Sequence, residues 1–320
     1  MKTEVKKICV IGAGTMGHGL AQAFAQGGHQ VALFSRTQKT LDRASTLIKS
    51  SLDTMLEAGV VDKQQIQATL RRITSTTSLE EAAEDADIAI ETMAEDKEAK
   101  KDIFKRLDDI CPPKTLLASN TSLLNIFDFV ETSRPDKVLV THWYAPPQII
   151  PLVDVVKGPL TDEANMELIV QLLKRMGKKP VVFNKPIAGY VISRIQIALQ
   201  REVHYLLDND FISPKELDEA TIWGLALRMM VIGVVQRMDF GGLDLSVKNL
   251  HGSTVESTPI DYQPKKLLEL FEQGHTGVKT GRGFYDYAGR SEAEVCHDRD
   301  IRLLKLLKIL QETDITGPLT

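Results

Sequence analysis

The sequence is short of positive charge, of cysteine and of long apolar runs, and each shortage removes a class of function. Its 39 lysines and arginines against 43 aspartates and glutamates leave a formal charge of −4. Such a chain has no global attraction to nucleic acid or to an anionic membrane, so any anion it binds must be held locally. Its three cysteines, Cys9, Cys111 and Cys296, are odd in number and far apart. That spacing argues against a disulfide framework or a zinc site and for a reducing compartment, with a cytoplasmic location and no metal as the expectation. The opening MKTEVKKICVIGAG lacks the long apolar stretch of a signal peptide, and no run of about 18 apolar residues occurs, so neither secretion nor a membrane span is expected. What is present is 320 residues, 43% hydrophobic and 26% charged. That is enough for ordinary buried cores in one large or two smaller domains, and it excludes a disordered or fibrous chain.

The first part of the chain alternates short β-branched runs with helical periods. Ile8 to Ile11 and Val31 to Phe34 read as strands around a helix from Thr15 to Gln26, the alternation of a parallel sheet. Two polar helical stretches from Gln38 to about Arg72, broken at Ala58-Gly59, read as a helical hairpin beside that sheet. Apolar runs return at Ile88 to Ile90, Leu116 to Ala118, Val138 to Thr141, Val153 to Val156 and Val181 to Phe183. After the turn-rich Asn184-Lys-Pro-Ile-Ala-Gly189 the texture becomes helical, in Tyr190 to Leu207, Pro214 to Trp223, Leu243 to Asn249, Lys265 to Glu272 and Ile301 to Leu310. The expected architecture is α/β: a parallel-sheet domain over residues 1–185 with a helical hairpin beside the sheet, then a mainly helical domain over 186–320. Surplus apolar helix faces in the second domain make homodimerisation through it the expectation.

Gly12-Ala-Gly14-Thr15-Met16-Gly17 follows the first strand and opens the first helix. In that context the first glycine permits a tight turn, the second lets the backbone approach a pyrophosphate, and the third packs helix on strand. The helix N-terminus then faces the phosphates. At the end of the second strand, where an acid would accept from the adenosine ribose, the sequence has Ser35-Arg36. A hydroxyl and a guanidinium suit a 2′-phosphate, so the reading leans to NADP over NAD.

Further along come Ala118-Ser-Asn120-Thr-Ser122, His142, Pro151-Leu-Val-Asp154-Val-Val, Ala188-Gly-Tyr-Val-Ile-Ser-Arg194 and Lys279-Thr-Gly-Arg-Gly-Phe-Tyr-Asp-Tyr287. In order and spacing these resemble the 3-hydroxyacyl-CoA dehydrogenase family, over nearly the whole chain. The resemblance implies a doubly wound Rossmann-type domain with a helical hairpin insert over residues 1–185, an all-α substrate-binding and dimerisation domain over 186–320, and an active site in the cleft between them. It also implies His142 as acid/base with Asp154, in place of the family's Glu, as its orienter, and Ser122 as the donor polarising the substrate oxygen. Glu95, Lys100 and Asn120 are implied as cofactor contacts. The chemistry is consistent: oxidising a 3-hydroxy group needs an imidazole near neutral pKa and a carboxylate fixing its tautomer. The plainer alternatives are a strand-end cap for Asp154 and an N-cap for Ser122 at the start of a helix. His18, His29, His204, His251 and His297 have no comparable motif, and His275 reads as a turn residue.

Two family amides are replaced here, by Ala145 and by Ser193, which suggests a shifted substrate pocket around Ser193. The segment Ser51 to Gly59, where the acyl-CoA enzymes hold the CoA phosphates with lysines, has almost no positive charge. By contrast Pro146-Pro147, Ile150-Pro151-Leu152 and Gly224-Leu-Ala-Leu-Arg228 resemble the branch of L-gulonate 3-dehydrogenase (lambda-crystallin) and L-carnitine dehydrogenase, which act on free carboxylates. An arginine in the apolar stretch Leu225 to Val235 is costly to bury without an anion, so Arg228 is the candidate carboxylate clamp, a salt bridge being the alternative. The expected function is hydride transfer between NAD(P) and a free 3-hydroxy or 3-oxo acid. The alternatives are a short-chain 3-hydroxyacyl-CoA dehydrogenase and a catalytically silent nucleotide-binding protein.

Overall fold

The structure is a computed structural model describing residues 5–252, 258–313 and 315–317; the side chains of residues 249–252, His251 among them, lie outside that description. The chain divides into two compact units, Met1–Ser193 and Arg194–Thr320. The texture change read at residue 185 lies just past the last strand of the first unit, and the division itself comes eight residues later, after the opening of a long helix.

The first unit is an eight-stranded sheet in the order β3-β2-β1-β4-β5-β6-β7-β8. The strands are β1 (Lys7–Ile11), β2 (Gln30–Phe34), β3 (Ile73–Thr76), β4 (Ile88–Glu91), β5 (Leu116–Ser119), β6 (Val138–Trp143), β7 (Leu152–Lys157) and β8 (Lys179–Phe183). Every pair is parallel except β6 with β7. Helices α1 (Gly17–Gln26), α2 (Gln38–Glu57), α3 (Lys63–Arg71), α4 (Leu79–Ala83), α5 (Lys97–Ile110) and α6 (Glu163–Arg175) complete this unit, with α7 (Tyr190–Asp208) beginning at its end.

Side chains from alternate positions of the six inner strands, β1, β2 and β4 to β7, enter separate cores on the two faces of the sheet. One is built on Ile8, Val10, Leu33, Ile90 and Trp143, the other on Cys9, Ile11, Phe34, Leu117 and Val140. Two-sided burial explains why these strands read as unbroken apolar runs. The hairpin insert is α2 and α3, and the chain turns between them at Gly59 with φ +69, a left-handed conformation that glycine adopts without strain. α3 starts on a reciprocal capping box between Asp62 and Gln65. Strand order reverses between β1 and β4, and in open α/β sheets ligands bind beyond the strand ends at such a switch point.

The second unit is helical: α8 (Pro214–Ala220), a π-helical turn at Thr221–Ala226, α9 (Leu227–Gly241), α10 (Leu243–Gly252), α11 (Lys265–Glu272) and α12 (Glu292–Thr313). It buries few side chains and leaves Trp223, Val235, Phe240 and Phe271 exposed. Among the described residues, no helix is long and apolar enough to cross a membrane.

Candidate active site

The glycine loop sits at the end of β1, at the switch point. A Cβ on Gly12 would meet Thr92 Oγ1 at 2.9 Å in a backbone of φ +104, and one on Gly17 would fall 1.6 Å from the Gly12 carbonyl oxygen. Glycine is therefore required at both. Around Gly14 there is open space, where a pyrophosphate can approach the backbone. α1 then begins at Gly17 without a side-chain cap on Met16, which leaves its first N–H groups for an anion. Thr15 is exposed and Met16 packs partly against the core. These features fit a dinucleotide.

Beyond β2, Ser35 is nearly buried, and Arg36 is exposed with no hydrogen bond or ion pair among the described residues. Thr37 caps α2 immediately afterwards.

Next to the loop, β4 ends in a fully buried carboxylate, Glu91 (0% exposed), beside Lys100 (1%) from the first turns of α5. α5 starts here because Asp96 caps the Ala99 N–H, and Lys100 then leads the buried stripe of Ile103, Phe104 and Leu107. Lys100 Nζ reaches both Glu91 oxygens, at 2.7 and 2.9 Å. Ser119, opposite Glu91 in the β4–β5 register, donates to the same carboxylate at 2.7 Å. Lys100 Nζ also lies 3.6 Å from Glu95, the other residue of α5's approach read with it as a cofactor contact. Glu95 holds the next loop: it accepts from the Thr121 hydroxyl (2.8 Å) and from the N–H groups of Ser122 and Leu123. Asn120 accepts from the Trp143 N–H at 2.8 Å, tying this loop to the end of β6.

No helix starts at Ser122; the following 3-10 turn, Ile126–Asp128, has Asn125 at its N-cap position. Ser122 Oγ is consequently free of a capping bond.

β6 and β7 pair antiparallel with His142 directly opposite Asp154. Both are buried, at 4% and 1% exposed, and His142 Nδ1 lies 3.2 Å from Asp154 Oδ2. With Nδ1–H donating to the carboxylate, Nε2 is the free basic nitrogen. Two tyrosines absent from the sequence expectation flank the imidazole: Tyr144, with ring centroids 4.6 Å apart, and Tyr190, at 4.9 Å. Tyr190 is buried, with φ +43 at the start of α7. Burial first, then the charges of Glu95 and Asp154, push its hydroxyl above the usual tyrosine range. Ser193 lies one turn further along α7 and is partly exposed. Tyr144 carried a readable signal, its place two residues after His142 in a strand, and Glu91 another, a charge closing an apolar run. Tyr190 carried none.

Arg228, in the helical unit, is exposed, and its Nε donates to the Gly224 carbonyl at 2.5 Å. The burial cost that singled it out does not arise in the single chain.

Residues 7–186 match the 3-hydroxyacyl-CoA dehydrogenase NAD binding domain and residues 189–287 the C-terminal domain of the same family. The chain belongs to the 3-hydroxyacyl-CoA dehydrogenase family. It is 36% identical to a 3-hydroxybutyryl-CoA dehydrogenase of Clostridioides difficile, over 88% of this chain and 99% of that one. It is 30% identical to the 5-formyl-3-hydroxy-2-methylpyridine 4-carboxylate 5-dehydrogenase of Mesorhizobium japonicum, over 96% and 99%. Among solved structures, a 5-dehydrogenase of the same pyridine carboxylate, described as an NAD+ dependent dismutase, superposes with a TM-score of 0.84 at 28% identity, covering 96% of this chain and 99% of that one. The (S)-3-hydroxybutyryl-CoA dehydrogenase of Ralstonia eutropha gives 0.69 at 29%, covering 89% and 100%. This 3-hydroxyacyl-CoA dehydrogenase family member is therefore an oxidoreductase with an NAD-binding Rossmann domain, acting on the CH–OH group of a hydroxy acid or its ester.

Proposed function

We propose that the chain interconverts a 3-hydroxy acid and its 3-oxo form, with His142 as the base. The carrying observation is the buried His142–Asp154 pair, set in register by two antiparallel strands. In oxidation, His142 Nε2 takes the hydroxyl proton, and Asp154 stabilises the imidazolium and fixes its tautomer. Ser122 Oγ donates to the substrate oxygen from a loop clamped by Glu95 and tied to β6 by Asn120, and Glu95, Lys100 and Asn120 are the further proposed contacts of the cofactor. Gly12, Gly14, Thr15, Met16 and Gly17 would hold a nicotinamide dinucleotide, which supplies the hydride acceptor when bound. Ser35 and Arg36 are the proposed contacts for its 2′-phosphorylated form, Arg36 being an exposed guanidinium two residues past the end of β2.

For the substrate, the structural similarity to a dehydrogenase of a free pyridine carboxylate supports a free acid; the exposed Arg228 guanidinium is the proposed carboxylate clamp and Ser193 a proposed second contact. The second reading is a short-chain 3-hydroxyacyl-CoA, favoured by identity to 3-hydroxybutyryl-CoA enzymes. The exposed apolar side chains of the helical unit support a homodimer formed through residues 186–320, the substrate and dimerisation domain.

An initial-rate matrix tests these assignments: free 3-hydroxy and 3-oxo acids against acetoacetyl-CoA, each with NADH/NAD and NADPH/NADP. Turnover of free acids with the 2′-phosphorylated cofactor is expected, with Arg36→Ala narrowing that preference. Preference for the CoA ester, or for NADH, overturns the corresponding half.

A further inference from the structure

The carboxylate that orients His142 is not held by the imidazole alone. Tyr144 lies two residues past His142, just beyond the end of β6, and the strand pleat sends both side chains to one face. The Tyr144 hydroxyl donates to Asp154 Oδ2 at 2.6 Å, the oxygen that His142 Nδ1 approaches at 3.2 Å. The first distance is that of a strong charge-assisted bond and the second is at the long end for N–H···O, so the phenol is the tighter partner of the shared oxygen. The Tyr144 ring also packs edge-on against the imidazole, at 66° between planes.

We infer that Tyr144 is a positioning residue for the base: its hydroxyl fixes the Asp154 carboxylate and competes with His142 for one oxygen, so that a His142–Asp154–Tyr144 chain sets how strongly the imidazole holds a proton. This rests on His142 being the base, as proposed above. The groups facing that carboxylate are His142 from β6, Tyr144 just past it, and Tyr190 from α7; the Glu95 charge also acts on the Tyr190 hydroxyl. Burial, followed by the Asp154 bond, holds the Tyr144 hydroxyl above the usual tyrosine range, so it remains a donor across the working pH range. Its role is therefore steady competition, not titration.

The arrangement has a directional consequence. With the phenol hydroxyl removed, Oδ2 is left to the imidazole, and the carboxylate stabilises imidazolium more fully. The proton is then released at higher pH.

Tyr144→Phe keeps the ring packing and deletes only the donor. Two readouts are compared with the unsubstituted protein: the pH–rate profile in the oxidation direction, and the titration of the His142 imidazole followed by NMR. The limb of the profile assigned to His142 should move up by roughly half to one pH unit, the NMR titration should move with it, and kcat should fall on the order of fivefold to tenfold with the cofactor KM unchanged. An unmoved or downward-moving titration overturns the inference. The NMR arm keeps it testable if no substrate is turned over, the outcome that would instead overturn the proposed function. A residue that merely packed against its neighbours would change thermal stability and leave both titrations in place.

Discussion

Replacing Lys100 by methionine tests the buried cluster that supports the site. The substitution keeps the length and apolar stem of the side chain and removes its ammonium from 2.7 and 2.9 Å of the two Glu91 oxygens. Glu91, fully buried, is left with the Ser119 hydroxyl at 2.7 Å and the Met93 N–H at 2.6 Å as neutral donors. Removing one partner of a buried pair costs about 3–5 kcal/mol because the other charge stays uncompensated. The two remaining donors hold the expected loss to about 3 kcal/mol, a large share of a typical folding free energy of about 5–15 kcal/mol. Glu91→Gln in the Lys100→Met background removes the stranded charge and should recover much of that loss. The assay is urea unfolding of the four proteins of this double-mutant cycle in a Trp223→Phe background, so that Trp143, packed in the sheet core, reports the first unit alone. A Lys100→Met loss below about 1 kcal/mol, or an additive cycle, would refute the reasoning.

Gly17→Ala should weaken nucleotide binding by at least about tenfold, because its Cβ would fall 1.6 Å from the Gly12 carbonyl oxygen and must displace the loop or α1; unchanged affinity by calorimetry would sink the assignment of the loop. Lys178 is buried against the ring of Trp143, with its Nζ donating to the carbonyls of Pro147 (2.7 Å) and Ile150 (3.0 Å), and burial lowers its pKa from 10.5 to about 8. Between those pH values the unfolded chain binds more protons than the folded one, so this group's contribution to stability increases as pH rises from about 8 to about 10.5. Relative to Lys178→Met, the unsubstituted protein should gain about 3 kcal/mol across that window in urea unfolding. A flat or falling difference contradicts the burial argument.

The central strands were legible because burial on both faces makes them continuous apolar runs. The reading Val138 to Thr141 falls two residues short of β6, which takes in His142 and Trp143. β3 was not visible: Ile73–Thr76 is an edge strand with exposed and half-buried side chains, and the sequence ITST carries neither an apolar run nor a clean alternation. Ile301 to Leu310 is only the apolar middle of α12, which extends over Glu292–Thr313 because its polar ends continue the helix. In the site, the glycine loop could be read because Gly12 and Gly17 answer local steric demands and Gly14 leaves the backbone open to a ligand. The resemblance singled out Lys100, but its pairing with Glu91 could not be read, because the two charges meet only after α5 folds back beside β4. Tyr190 meets His142 across 48 residues of chain, a proximity that no local pattern encodes.

The most direct test of the account is His142→Asn, assayed for nucleotide binding and for turnover on the same preparation. The imidazole lies outside the glycine loop, so the nucleotide dissociation constant should stay within about twofold while turnover falls by at least about a hundredfold, the scale of a lost general base. Turnover within about threefold of the unsubstituted enzyme would remove His142, and with it the Asp154 pair, from the chemistry.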